Sequence, residues 1–117
     1  MPIEIRGIPT DPALRARARR QLTALLTRLS VQPVAAQVTF FDENGPKGGR
    51  AIRCALTVRV PYRRTVRVEH LAETPRLAFD GSFPTLEREL GEYAERARDE
   101  RRHPKKYYVA KRVRQLG

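Results

Sequence analysis

Cysteine is almost absent from this chain. Cys54 is the only one in 117 residues, so an internal disulfide and any cysteine-rich zinc site are excluded. No apolar run approaches the ~20 residues that a transmembrane helix needs. The first residues alternate like a strand and lack the uninterrupted apolar stretch of a signal peptide. These absences predict a cytoplasmic protein without a membrane partner.

The residue sets of a catalytic or metal site are also missing. His70 and His103 have no neighbours at metal-ligand spacing, and no serine or cysteine is grouped with histidine and aspartate. The glycine-rich segment 42–49 matches neither Gly-x-Gly-x-x-Gly nor a phosphate loop that ends in Gly-Lys-Ser/Thr. We therefore expect no catalysis, no metal, no cofactor and no small-molecule substrate.

Acidic residues are few and unevenly placed. The chain has 24 Lys plus Arg against 13 Asp plus Glu, a formal net charge of +11, and 20 of the basic residues are arginine. No acid occurs between Asp11 and Asp42. Arginine can donate two parallel hydrogen bonds to phosphate and can stack on an exposed base. The predicted partner is therefore a polyanion, and nucleic acid is the first expectation.

The length favours a single domain with one core. Alternating apolar residues predict strands, and apolar residues three or four apart predict helices. The predicted order is strand, helix, three strands, helix, at residues 2–6, 12–30, 34–41, 52–60, 65–71 and 75–102. The last three strands form an antiparallel meander. In the second strand Val34, Ala36, Val38 and Phe40 are expected on the core face.

The first helix carries five arginines and no acid. Arg17, Arg20 and Arg28 are predicted to lie away from the leucine stripe, with Arg15 and Arg19 at one flank. A charged helix face is usually only solvated, but the absence of any acid favours contact with a polyanion.

The second helix has an apolar stripe that continues through Pro84. This favours one helix over 75–102, kinked or locally opened at 80–84. The helix mixes acids with arginines, and pairs four residues apart such as Glu92 with Arg96 predict a salt-bridged, solvated face.

Several short motifs occur in a specific order between residues 2 and 102. They are Ile3-Glu4-Ile5-Arg6-Gly7, Asp11-Pro12-Ala13-Leu14-Arg15, the turn Asp42-Glu43-Asn44-Gly45-Pro46-Lys47-Gly48-Gly49 with Arg53-Cys54, and Leu86-Glu87-Arg88 followed by Tyr93-Ala94. Together they resemble the ribosome hibernation-promoting factor family, also called ribosome-associated inhibitor A or sigma-54 modulation proteins.

The resemblance implies an α+β fold of order β-α-β-β-β-α, a four-stranded sheet with two helices packed on one face. This fold is similar to a double-stranded RNA-binding domain with an added first strand. Residues 1–103 would form the ribosome-binding domain and 104–117 a basic C-terminal tail. Family members bind rRNA of the small ribosomal subunit, in the channel used by mRNA and tRNA, and hold ribosomes inactive when growth stops.

The basic residues at matching positions are the expected RNA contacts. They lie on the first helix, in the turn, on the open sheet face and on the second helix: Arg15, Arg19, Lys47, Arg50, Arg53, Arg59 and Arg88. The tail matches no family feature, but Lys105 and Lys106 precede two tyrosines, a combination that suits single-stranded RNA. The sequence ends soon after the second helix, which is typical of a short family member that is monomeric off the ribosome.

Two other functions fit the same sequence. One is a general RNA-binding module that acts in assembly or as a chaperone, without a ribosomal site. The other is a basic interaction domain whose positive surface contacts an acidic protein. Electrostatics alone does not separate these functions from ribosome binding.

Overall fold

The computed structural model describes residues 3–43, 51–61 and 63–102. Residues 101 and 102 are described by their backbone alone. It contains β1 (Ile3–Gly7), α1 (Pro12–Arg28), β2 (Ala35–Asp42), β3 (Ile52–Arg59), β4 (Val66–Ala72) and α2 (Pro75–Arg102). The predicted α+β class and the order β-α-β-β-β-α are confirmed, and most boundaries differ from the prediction by one or two residues.

The four strands form one mixed sheet in the order β1-β2-β3-β4. The predicted antiparallel meander of β2, β3 and β4 is confirmed. β1 lies parallel to β2, with Ile5 beside Val38. A parallel neighbour requires a crossover connection, and α1 supplies it.

One face of the sheet and one side of each helix form the core. The helices contribute buried leucines, alanines and Phe79, and the sheet contributes every second residue of β2 and β3. Because side chains alternate along a strand, the remaining residues of these strands lie on the open face of the sheet. Val34 departs from the prediction: it precedes β2, and the residue is 55% exposed.

The start of α1 follows the sequence signals. The Asp11 carboxylate accepts a hydrogen bond from the backbone N–H of Ala13 (3.1 Å), and Pro12 occupies the first helical position. After the helix, Ser30 adopts a left-handed conformation (φ 56°), and the Val31 N–H donates to the Leu26 carbonyl (2.8 Å). This backbone reversal directs the chain towards β2.

α2 is helical throughout, so of the two predicted alternatives at 80–84, a kink or a local opening, the opening is wrong. Pro84 has no N–H to donate to the preceding turn, which costs the helix a hydrogen bond. Phe79 and Leu86, on either side of the proline, are fully buried in the core. Burial of these two side chains offsets the cost of the lost hydrogen bond. The buried Ser82 hydroxyl also donates to the Phe79 carbonyl (3.2 Å), which further stabilises this part of the helix.

Cys54 lies on the core face of β3 and is fully buried. Burial raises the pKa of its thiol to about 11, although a hydrogen bond with Ser82 opposes part of the shift. The charged thiolate is the reactive form, so the raised pKa keeps the thiol protonated and inert at neutral pH.

Native Cys54 should therefore react with an aromatic disulfide reagent at pH 8 at least about 100-fold more slowly than the same thiol in denaturant. Most of this difference follows from the smaller thiolate fraction, and burial adds to it. The rate of thiolate release, followed by absorbance with and without guanidinium, measures the effect. Equal rates in the two conditions would show that the thiol is accessible in the native fold.

Candidate nucleic-acid interface

The arginines fall into two groups according to whether a carboxylate contacts them. Among the described residues, those in ion pairs are Arg6, Arg17, Arg28, Arg53, Arg63 and Arg67. Those that are exposed and in contact with no described carboxylate include Arg15, Arg19, Arg20, Arg59, Arg64, Arg88 and Arg96. A free guanidinium can bind phosphate without first giving up an internal partner, so the candidate interface is drawn from the second group, which also contains Arg76 and Arg98.

On α1 the structure separates arginines that the sequence placed together. Arg17 donates to Asp80 of α2 at 2.7 Å and lies 5.5 Å from the centre of the Phe79 ring. Arg28 donates to Glu87 of α2, also at 2.7 Å. Arg17 and Arg28, which were predicted to lie away from the leucine stripe, are thus held by acids of α2. They connect the two helices.

The remaining α1 arginines form a free row. Arg15 and Arg19 are exposed and lie one helical turn apart on one face, and Arg20, which follows Arg19, is exposed on an adjoining face. Because α1 carries no acid within its span, nothing on the same helix neutralises this row. We name Arg15, Arg19 and Arg20 the α1 row.

On the open sheet face Arg53 is already engaged. Its guanidinium contacts Glu43 at 2.6 Å and Glu69 of β4 at 2.9 Å, and it lies 4.0 Å from the centre of the Phe41 ring. Only 28% of the side chain is exposed. Phe41 thus covers one face of the Arg53 guanidinium, a face that could otherwise stack on an RNA base.

The ion pairs on this face also shift the pKa values of their members. Hydrogen bonds to Glu43, and to a smaller extent to Glu69, raise the pKa of Arg53. Hydrogen bonds from Arg53, and to a smaller extent from Arg67, lower the pKa of Glu69. Arg67 also donates to the Thr57 hydroxyl at 3.0 Å. We name Glu43, Arg53, Arg67 and Glu69 the sheet-face network. Its two positive and two negative charges cancel, so the network adds no net positive charge to this face.

The other end of the sheet has free cations. Arg59, at the end of β3, is exposed, and its carbonyl accepts a hydrogen bond from the Val34 N–H (2.7 Å). Arg64 is exposed in the connection to β4. Arg64 was not among the RNA contacts predicted from the sequence, although the segment Pro-Tyr-Arg-Arg places an aromatic residue beside two basic ones, a combination that suits single-stranded RNA.

On α2 the acids that form ion pairs contact other elements instead of their own helix. Asp80 and Glu87 pair with α1, and Glu100 pairs with Arg63 of the β3–β4 connection. Among the described residues, no ion pair joins two residues of α2, so the predicted Glu92–Arg96 pair is not formed. Arg88 is exposed and free of described carboxylates, as an RNA contact requires.

Four of the predicted contacts, Lys47, Arg50, Lys105 and Lys106, lie outside the described residues, as does the tail 104–117. Among the described side chains, no group of three or more His, Cys, Asp or Glu could hold a metal ion. Within the same ranges, neither helix is long and apolar enough to cross a membrane.

The fold and its surface define a small, strongly basic α+β protein with free arginines on both helices and at one end of its sheet. The chain belongs to the family described as sigma 54 modulation protein / S30EA ribosomal protein, whose sequence profile matches residues 2–98. This confirms the predicted membership of a family of ribosome-associated hibernation factors.

A solved structure supports the fold. The N-terminal domain of Thermus thermophilus Protein Y is similar to this chain with a TM-score of 0.62 and 22% sequence identity. The similarity covers 80% of this chain and 99% of that domain. No curated protein sequence matches the chain significantly.

Proposed function

We propose that this protein binds the small ribosomal subunit through rRNA in the channel used by mRNA and tRNA. It would thereby hold ribosomes inactive in the cytoplasm under stress or in stationary phase. Family membership supports the ribosome as the partner. A net charge of +11 supports rRNA as the component that is bound.

The α1 row is the observation that carries this proposal. Three exposed arginines lie in the first half of α1, with Arg15 and Arg19 on one face, while Arg17 and Arg28 of the same helix are bound to α2. Interactions within the fold account for the paired arginines but not for the free row. An array of free guanidinium groups on a rigid helix suits the phosphates of structured RNA, which is recognised mainly through its backbone and shape.

The proposed contacts are revised in the light of these ion pairs. The α1 row, Arg59, Arg64 and Arg88 carry most of the proposed phosphate binding. Arg53 would act by holding the strands around the turn in place, since two carboxylates and Phe41 already contact it. Lys47, Arg50, Lys105 and Lys106 stay predicted contacts.

Sedimentation of tagged protein with stationary-phase lysate tests the proposal. At low salt the protein should migrate with small subunits or whole ribosomes. About six phosphate contacts would lower the affinity by roughly 1,000-fold between about 50 and 200 mM salt. Protein found only in the ribosome-free fraction at low salt would overturn the proposal.

Two further measurements address the other functions. Equal affinity for purified small subunits and for unrelated structured RNA would favour the general RNA-binding module. Retention by an acidic protein, with no affinity for either RNA, would favour the interaction domain.

A further inference from the structure

A second charged site lies between the start of β4 and the C-terminal half of α2. It is a cleft of about 650 Å³ lined by residues 63–67 on one side and by Glu89, Glu92, Tyr93 and Arg96 of α2 on the other. The α2 residues follow one another at steps of three, one and three, so they form a single helix face. The volume is within the range of ordinary ligand sites.

The four arginines of the cleft have different environments. Arg63 is bound to Glu100, and Arg67 is bound to Glu69 and Thr57. Arg64 and Arg96 are exposed, and no described carboxylate contacts them. They are therefore the two cations of the cleft that are available to an anionic ligand.

The other lining residues restrict the class of ligand. Tyr93 is half-buried, packs against the hydrophobic core and supplies an aromatic wall. Glu89 and Glu92 add carboxylates to the same helix face. These carboxylates would repel an acidic peptide or a bare polyphosphate, but they can accept hydrogen bonds from the exocyclic amino groups of a base.

We infer that this cleft binds one nucleoside monophosphate unit, either free or as an unpaired nucleotide of RNA. Arg64 and Arg96 bind the phosphate, the base lies along Tyr93, and Glu89 and Glu92 accept from its amino groups. The site goes beyond the proposed function, because the contacts proposed above are with phosphates and do not include a base.

Amide chemical shifts of ¹⁵N-labelled protein test the inference without ribosomes. AMP and a pentaadenylate RNA should each shift the amides of residues 63–67 and 89–96, and inorganic phosphate should bind more weakly than AMP. Tighter binding of the RNA than of AMP assigns the site to RNA, and the reverse order assigns it to a free nucleotide. Phosphate binding as tight as AMP, or shifts confined to other residues, would overturn the inference.

Three variants sharpen the result. Tyr93→Leu keeps an apolar side chain against the core but removes the ring, and it should weaken AMP binding by about 10-fold. Arg64→Glu with Arg96→Glu affects only exposed side chains, so it should retain the fold and weaken binding by at least about 10-fold. Arg98→Glu on the same helix lies outside the cleft and should change binding by less than about 3-fold.

If Tyr93→Leu and the double variant both bind AMP as the unaltered protein does, the cleft is not the site. Failure of this test leaves the proposed ribosome binding unaffected, because no ribosome is present. Conversely, protein found only in the ribosome-free fraction would overturn the proposed ribosome binding but not the nucleotide site, since nucleotide binding is measured on the protein alone.

Discussion

Replacing Arg15 and Arg19 by glutamate should lower the affinity for the small ribosomal subunit by about 100-fold at low salt. Each change removes an attraction to phosphate and adds a repulsion. Neither arginine contacts a described carboxylate, so no ion pair of the fold is lost. Filter binding or sedimentation of the labelled variant with purified subunits measures the change, and the slope of affinity against salt should become shallower.

The matched control is Arg76→Glu with Arg98→Glu. Both residues are exposed on α2, neither is a proposed RNA contact, and the net charge changes equally. If affinity depends only on net charge, the two double variants will weaken binding alike. That result would remove the α1 row from the proposed interface.

Gly7→Ala should destabilise the fold by about 4 kcal/mol, which corresponds to a fall of more than about 10 °C in Tm. Gly7 ends β1 with φ at +96°, where residues with a side chain are strained. A Cβ at this position would lie 1.9 Å from the carbonyl oxygen of Phe40, a backbone atom of the neighbouring strand. That oxygen also accepts from the Ile8 N–H, so it cannot move freely. Thermal or urea unfolding followed by circular dichroism measures the loss.

Gly91→Ala supplies the control for Gly7→Ala. Gly91 lies within α2, and a Cβ there would meet no atom within 4 Å. Alanine is a better helix former than glycine, so this variant should be more stable by about 0.8–1 kcal/mol. If both alanine variants have unchanged stability, the close approach of β1 to Phe40 is not a constraint on the fold.

The sheet-face network shows that an arginine count overstates the charge available to RNA. In Arg53 the guanidinium that phosphate would bind already contacts Glu43 and Glu69. Replacing Arg53 by glutamate would bring three carboxylates together, so loss of RNA binding in such a variant would not identify a contact. Arg59 on the same strand is free, and its replacement gives a cleaner measure of the sheet face.

The second helix shows why local patterns predicted the element but not its interactions. The apolar stripe through Pro84 correctly indicated one long helix, because residues three and four apart share a face whatever the neighbouring elements are. Spacing also predicted a Glu92–Arg96 pair. The acids that do form pairs contact α1 and the β3–β4 connection instead, and spacing within one helix carries no information about such partners.

The sequence by itself determined the order of elements, the core faces and the family. Hydrophobic periodicity and the caps are local signals that a chain carries before it folds. Only the tertiary structure decided which arginines are free. Asp80, Glu87 and Glu69 lie 63, 59 and 16 residues along the chain from their partners. Folding brings them within 3 Å of Arg17, Arg28 and Arg53. The charge that remains for RNA therefore depends on contacts between elements, which no local pattern specifies.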